Sequence, residues 1–470
     1  MFQRLLSRKF VQDTLVIQVS RGMATGLAFL SSLVVWRVMT PSEFGVYAQA
    51  HSFFFLWTQL DLTGASAAMY TRLGIALGAK DDSAALDAIA GYARLGILTI
   101  FGITVLIILL GIPISGAVYG SSRIGVLAVV LSTAYAADVV YGFIVTALSA
   151  SRQMRWFAAL AVINQVVLSV CWIGAVLLIP AAEALVIGRL IYSTLTLIIA
   201  LVIYHRAYAN THLPALRQIT ARVRTVEWSG FWRFGFANAL DKNLSSLFVQ
   251  IPLQLAGIIG GSAAAGYMSL ALSGIANAGV LTSAVFENVQ AIVPQAVGRG
   301  EFRRLRRNML RVIVILVGGA VAVYGALAIV APFLIPPILG SEWIPAVRPL
   351  EILTLYGALT AVGGVFGPLY RAFRRMRAAL AIKITTLVFV LPIGAAVVFW
   401  LTSQAGTLYA FWGTYSLTDT LAAHAAAAGG AALIVVVFTY SVTATALVML
   451  PELRRRAALE EKQQRTAAVE

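Results

Sequence analysis

Cysteine, histidine and acidic residues are scarce in this chain of 470 residues, which has one Cys, four His and 19 Asp plus Glu. The lone Cys171 excludes a disulfide framework and a cysteine-based metal site within one chain. The histidines, His51, His205, His212 and His424, are scattered. Neither a His-Glu-x-x-His pattern nor a phosphate-cradling Gly-x-x-x-x-Gly-Lys occurs, so hydrolytic and ATP-driven chemistry find no residues to rest on, and no metal site or cofactor is expected. Charged residues make up 11% of the chain against 60% hydrophobic ones, too little polar surface to cover a soluble protein. The solvent implied is lipid. Continuous apolar runs such as 97–110 and 433–442 exclude the alternating pattern of a membrane β-barrel and leave helices as the spanning element.

What is present is a series of apolar runs of roughly 20 residues, the length a bilayer requires, separated by short polar punctuation. They predict twelve transmembrane helices at about 14–38, 45–70, 90–112, 124–148, 157–179, 184–205, 230–257, 264–293, 308–331, 348–370, 378–401 and 422–449. The first run is too long for a signal-peptide core and no small-residue cleavage site follows it, so it is expected to be retained. The net charge of +16 would suit nucleic acid, but its placement argues for topology. The basic residues gather in alternate loops: Lys80; Arg152 and Arg155; Arg206, Arg217, Arg222 and Arg224; 299–311; 371–377; and the C-terminal tail. Both termini and the loop at 206–228 are therefore expected in the cytoplasm, with 115–123, 332–347 and 402–419 facing outward. The basic loops are expected to set topology and to contact anionic lipid.

Shifting the sequence on itself by about 221 residues brings Gly120-Ser121 onto Gly340-Ser341, Tyr135 onto Tyr356, and Arg152-Gln-Met-Arg155 onto Arg374-Arg-Met-Arg377. The chain reads as an internal duplication: an N-lobe at 1–206, a basic cytoplasmic linker at 207–228, a C-lobe at 229–450 and a cytoplasmic tail at 451–470. Six helices per lobe give both repeats one orientation, related by an axis along the membrane normal, with a cavity expected between them.

Charges inside hydrocarbon cost several kcal/mol unless paired or wet, so those within the spans are the functional candidates: Arg21, Arg37, Asp61, Asp138, Arg189, Asp241, Lys242, Glu287 and Glu351. On the first helix Thr14, Gln18, Arg21, Thr25 and Ser32 share an arc of roughly 60°, a polar stripe suited to a wet cavity. Arg21 falls on Lys242 in the repeat register. Asn238, Asp241, Lys242 and Ser245 likewise share a side of the seventh helix. Two such cations suit a ligand with concentrated negative charge such as a pyrophosphate. Arg37 and Arg189 join them as weaker candidates, standing near enough to helix ends to snorkel. Tyr135, Asp138 and Tyr141 on the fourth helix, and Asn277 and Glu287 with several serines on the eighth, are groups able to bind hydroxyls. The competing reading of each charge is structural: Arg21 or Lys242 pairing with Asp61, Asp138 or Asp241 to pin helices together. Asp81-Asp82 reads as a solvated loop.

The segment Arg37-Val-Met-Thr-Pro-Ser-Glu-Phe-Gly-Val-Tyr47, the small-residue pattern Asp61-Leu-Thr-Gly-Ala65 and the basic turn Leu369-Tyr-Arg-Ala-Phe-Arg-Arg-Met-Arg377 resemble, in order and spacing, the polysaccharide-transporter branch of the multidrug/oligosaccharidyl-lipid/polysaccharide (MOP) exporter superfamily, the Wzx-type flippases. The resemblance covers nearly the whole chain. It implies an all-α, two-lobed MATE-like transporter in the bacterial cytoplasmic membrane. Its activity would be to move an undecaprenyl-pyrophosphate-linked oligosaccharide to the periplasmic leaflet by alternating access, for exopolysaccharide, O-antigen or capsule synthesis. It also implies coupling to a proton or sodium gradient, with Asp61, Asp138, Asp241 and Glu287 as coupling candidates and Arg21 and Lys242 at the pyrophosphate. A polymerase and a chain-length regulator would be its protein partners. Two rivals compete. A multidrug exporter of the same superfamily would want acids rather than Arg21 and Lys242 in its cavity, and a membrane glycan polymerase or ligase would need catalytic residues on a long outward loop, whereas 402–419 holds neither His nor Arg.

Overall fold

The computed structural model describes residues 8–151, 153–208, 213–227, 229–373, 375–400 and 419–467, and every regular element among them is helical. Ten of the helices are long and apolar enough to cross a membrane, which makes this a multi-pass membrane protein. The ten reach the expected dozen by two local features. The seventh and eighth spans form one run, α10 (Ser229–Gly298), interrupted only at Gly261, whose φ of 73° and ψ of −178° no helix contains. The second span is a broken pair, α2 (Pro41–Thr58) and α3 (Ala65–Ala79), neither half of which qualifies alone.

The break corrects the continuous helix expected over 45–70, and its cause is local. The Asp61 carboxylate accepts hydrogen bonds from the Thr63 backbone N–H at 3.0 Å and the Thr63 hydroxyl at 2.6 Å, a side-chain turn that competes with the helix ladder. Gly64 then adopts a left-handed conformation (φ 56°), which a residue with a Cβ takes up only with strain. Gly64 also lies backbone to backbone against Gly235 of α10, so a Cβ on either residue would run into the main chain of the other. Gly235→Ala should therefore cost about 2 kcal/mol by overpacking and lower the melting temperature of the detergent-solubilised protein by roughly 5 °C. An unchanged melting temperature would mean that the two backbones do not touch.

The chain divides into two compact units, residues 1–242 and 243–470. In unit 1, α1 (Arg8–Val38) packs along α7 (Met154–Leu178). α6 (Ser122–Ala150) packs on α2, on α8 (Ala182–Tyr208) and on α4 (Asp82–Leu106), which a π turn joins to α5 (Ile112–Tyr119). Helix starts are capped as their sequences dictate: Thr40 accepts from Glu43 N ahead of Pro41, and Ser121 accepts from Arg123 N. The basic segment after α8 is bound to this unit. Tyr204 donates to the Pro214 carbonyl at 2.8 Å, Arg94 donates to the Val226 carbonyl at 2.8 Å, and Arg222 of the short α9 (Leu216–Arg222) pairs with Asp87 at 2.6 Å.

In unit 2, α11 (Phe302–Leu339), α12 (Val347–Gly363) and α15 (Asp419–Ala467) pack together; α13 (Phe366–Ala372) and α14 (Met376–Thr385) lie between α12 and α15 in sequence. Gly340 ends α11 with φ 106°, as Gly120 ends α5 with φ 64°, so the Gly-Ser pairs aligned by the duplication do the same work in both halves. α15 continues through the segment from 451 to Ala467, which is helical and pairs with its own unit. Glu452 pairs with Arg375 at 3.1 Å and Arg456 at 2.9 Å, Arg456 lies 4.3 Å from the Phe373 ring centroid, and Glu460 accepts from Arg303 N at 2.8 Å. The outward loop expected at 402–419 lies, but for its last residue, outside the described residues.

Candidate functional site

Two charged candidates meet in the interior of unit 1. Asp138 sits midway along α6 and Arg189 two turns into α8, and the packing of these helices brings Arg189 Nη2 to 2.6 Å from Asp138 Oδ2, with only 24% and 29% of the two side chains exposed. Arg189 was expected near a helix end, able to snorkel; its place within α8 and its pairing correct that. The second carboxylate oxygen of Asp138 accepts from the Ser193 hydroxyl at 2.9 Å, one turn on along α8. The guanidinium lies 4.8 Å from the Tyr192 ring centroid, and Tyr192 donates to Asn164 Oδ1 of α7 at 2.8 Å. A charge in hydrocarbon persists only when paired and hydrogen-bonded. Here the pairing and its neighbouring hydrogen bonds come from three helices, α6, α7 and α8.

Around the pair stand groups that the sequence reading passed over. Tyr47 and His51, one turn apart on α2 with ring centroids at 5.9 Å, lie within electrostatic range of Arg189. Trp172 of α7 packs edge-on to Tyr47 at 5.7 Å, and its buried Nε1 has no hydrogen-bond partner among the described residues. The i, i+4 spacing of Tyr47 and His51 was a visible signal, but on an apolar helix it reads equally well as core. Tyr135 and Tyr141, one turn either side of Asp138, are partly buried, and Tyr135 lies within electrostatic range of both Asp138 and Asp61. Unit 1 thus gathers Asp61, Tyr135, Asp138, Tyr141 and Arg189 into one neighbourhood. Its charge is matched: one carboxylate, Asp138, stands against one guanidinium, Arg189.

The remaining candidates are placed as follows. Gln18 and Arg21 are exposed on α1 and Thr25 is partly buried, while Arg37 is exposed in the last turn of that helix. On α10, Lys242 is exposed and Asp241 and Asn277 are partly buried; the side chains of Asn238 and Glu287 lie outside the described ones. Arg21, Asp61, Asp241 and Lys242 are each engaged by neighbouring groups. Asp81 caps α4: the Ala84 N–H, then the Ser83 hydroxyl, hold its carboxyl below the usual carboxylate range, so Asp81-Asp82 is a helix start as well as a loop. Among the described residues, no group of three His, Cys, Asp or Glu side chains is placed to hold a metal ion.

A second cluster occupies the start of α6. Arg123 makes two hydrogen bonds to Glu43, at 2.9 and 2.7 Å, and two to Glu183, both 2.7 Å, while Glu43 also accepts from the Ala182 N–H at 2.9 Å. The glutamate of the 37–47 motif therefore ties the starts of α2, α6 and α8 together. Arg123→Ala leaves two facing carboxylates partly exposed. It should cost about 1 kcal/mol, a fall of roughly 3 °C in melting temperature, and Arg123→Lys should recover only part of it, because an ammonium cannot bridge both carboxylates bidentately.

Residues 10–294 match the family model described as "Polysaccharide biosynthesis protein". No curated protein sequence matches. Among solved structures, the chain is similar to a multidrug resistance MATE family transporter of the MOP superfamily in its inward-facing conformation (TM-score 0.63, 15% identity, covering 95% of this chain and 96% of that one). It is similar to a eukaryotic MATE transporter to the same degree (TM-score 0.63, 15% identity, 97% and 99% covered). The outward-facing conformation of the MOP-superfamily transporter matches with a TM-score of 0.59 at 15% identity, over 96% of each chain. These identities speak to the fold, and the family model, spanning more than half of the chain, to the family: this is a member of the polysaccharide biosynthesis protein family, with a fold similar to that of MATE transporters.

Proposed function

We propose that the protein is a flippase that carries an undecaprenyl-pyrophosphate-linked oligosaccharide across the bacterial cytoplasmic membrane by alternating access, coupled to a proton or sodium gradient. The observation that carries the reading is a polysaccharide biosynthesis family member with an exporter's fold that keeps a carboxylate–arginine pair, Asp138–Arg189, inside its membrane domain. A scaffold has no need of such a pair; a transporter coupling charge to conformation does.

Transport opens the site to the two faces of the membrane in turn, with both termini in the cytoplasm. While Asp138 is ionised, it holds Arg189. Protonation removes the carboxylate charge and leaves the guanidinium to the phosphate oxygens of the substrate, alongside Arg21 and Lys242, with Arg37 as an entry contact. Asp61, Asp241 and Glu287 are further coupling groups. Gln18, Thr25, Tyr135, Tyr141, Asn238 and Asn277 offer hydrogen bonds to sugar hydroxyls. A polymerase and a chain-length regulator act on the delivered units. In cells depleted of the protein, complete lipid-linked units should accumulate out of reach of a periplasmic glycan-cleaving enzyme. Units that reach the periplasm and remain unpolymerised would overturn the flippase reading in favour of a polymerase.

A further inference from the structure

The first three turns of α11 carry more positive charge than the matching helix start of unit 1, and the anionic-lipid contact expected of the basic loops can be assigned there to particular side chains. Arg303, Arg304, Arg306, Arg307 and Arg311 are all exposed, and opposite them Leu305 and Met309 are 3% exposed each, against the core of unit 2. Arg304 pairs with Glu301 at 3.5 Å. Among the described residues the guanidinium groups of Arg303, Arg306, Arg307 and Arg311 have no carboxylate partner. In the repeat register the corresponding stretch of unit 1 is the start of α4, which carries Asp82 and Asp87 and no arginine before Arg94. A helix at this place in the repeat is therefore built without the arginines.

Helical geometry shows where these four groups stand. At 100° per residue Arg303, Arg306, Arg307 and Arg311 span an arc of roughly 140°. Leu310, Val314, Val317 and Val321 lie within that arc further along the helix and are 49%, 71%, 45% and 65% exposed. One continuous outer face thus passes from arginine to aliphatic within about two turns. Aliphatic side chains so exposed on a membrane helix are bathed by acyl chains, so the arginines just before them stand about 10 Å nearer the helix start, at the depth of lipid phosphates. A soluble partner would not ask for that register, and a site inside a central cavity would not lie on a face continuous with lipid-exposed valines.

We infer that this face of α11 is a binding surface for anionic phospholipid headgroups, held by Arg303, Arg306, Arg307 and Arg311. The charge is complementary, the depth matches, and the unpaired guanidinium groups each offer several donors to phosphate oxygens. The surface selects the lipid neighbours of unit 2 whatever cargo the protein moves.

The test uses the full-length protein with Leu310→Trp as a fluorescent reporter on that face, its signal taken as the difference from the parent protein, in bilayers of phosphatidylcholine titrated with brominated lipid. Brominated phosphatidylglycerol should quench the reporter with a relative binding constant at least about fivefold above that of brominated phosphatidylcholine. The combined Arg303→Gln, Arg306→Gln, Arg307→Gln and Arg311→Gln variant should bring the ratio to one, and the corresponding four lysine substitutions should largely keep it. In the parent reporter, molar salt should reduce the preference, which tests the electrostatic origin even if the glutamine variant does not fold. Equal quenching by both lipids, or a preference that survives in a folded glutamine variant, overturns the inference. So does inorganic phosphate abolishing the preference at an ionic strength where chloride does not, since that would make the surface a site for a soluble anion.

Discussion

Asp138→Asn should stop translocation while leaving the protein folded. Asparagine keeps the size of the side chain and an oxygen for Ser193 and Arg189, but it cannot change charge. If coupling works through the Asp138–Arg189 pair, the initial rate of substrate transfer falls at least about hundredfold with insertion and yield intact. Asp138→Leu should do more, because it leaves the Arg189 charge in the interior without a carboxylate; a loss of about 3 kcal/mol in stability should accompany the loss of transport. Arg189→Lys separates the two roles of the arginine: a lysine can pair with Asp138 but offers neither the planar stack on Tyr192 nor bidentate phosphate contacts, so stability should largely return and transport should not. Wild-type flux in Asp138→Asn would remove the pair from the mechanism and reduce it to a helix pin.

Arg21→Ala and Lys242→Ala should each insert and fold normally and each lose transport by at least about tenfold, with the double substitution abolishing it. Both side chains are exposed in the structure, so truncating them removes little packing. A defect must then come from the substrate or from the neighbouring groups that engage them. Lysine at position 21 and arginine at position 242 should restore most of the activity, because the argument asks for a cation rather than a particular shape. The check is polymer export in cells lacking the native protein, normalised to membrane-inserted protein. Normal export by both alanine variants would sink the pyrophosphate role assigned to them.

The parts of this protein legible in its sequence are those set by local composition. The spans are marked by apolar run length, and the Gly-Ser punctuation recurs for a physical reason: Gly120-Ser121 and Gly340-Ser341 each end one helix and begin the next segment. Asp138 and Arg189 were both visible as expensive charges. Their pairing was not, because 51 residues separate them and only the packing of α6 on α8 joins them. The same holds for Arg123, whose carboxylate partners stand 80 and 60 residues away. The break after Thr58 was hidden for a different reason: Asp61-Leu-Thr-Gly is apolar enough on average to pass as helix, and only the side-chain turn at Asp61 together with the left-handed Gly64 reveals the interruption. Tyr47, His51 and Trp172 escaped because aromatic residues on a buried helix look alike whether they serve packing or a site.

The measurement that tests the central proposal most directly is transfer of a fluorescent polyprenyl-pyrophosphate oligosaccharide between the leaflets of proteoliposomes containing only this protein, scored by access of an added glycan-cleaving enzyme, with and without an imposed ion gradient. The account predicts transfer well above that of protein-free vesicles, accelerated by a proton or sodium gradient and lost in Asp138→Asn. Transfer no faster than in protein-free vesicles, in a preparation that instead moves cationic drugs under the same gradient, would contradict it and make this chain a drug exporter.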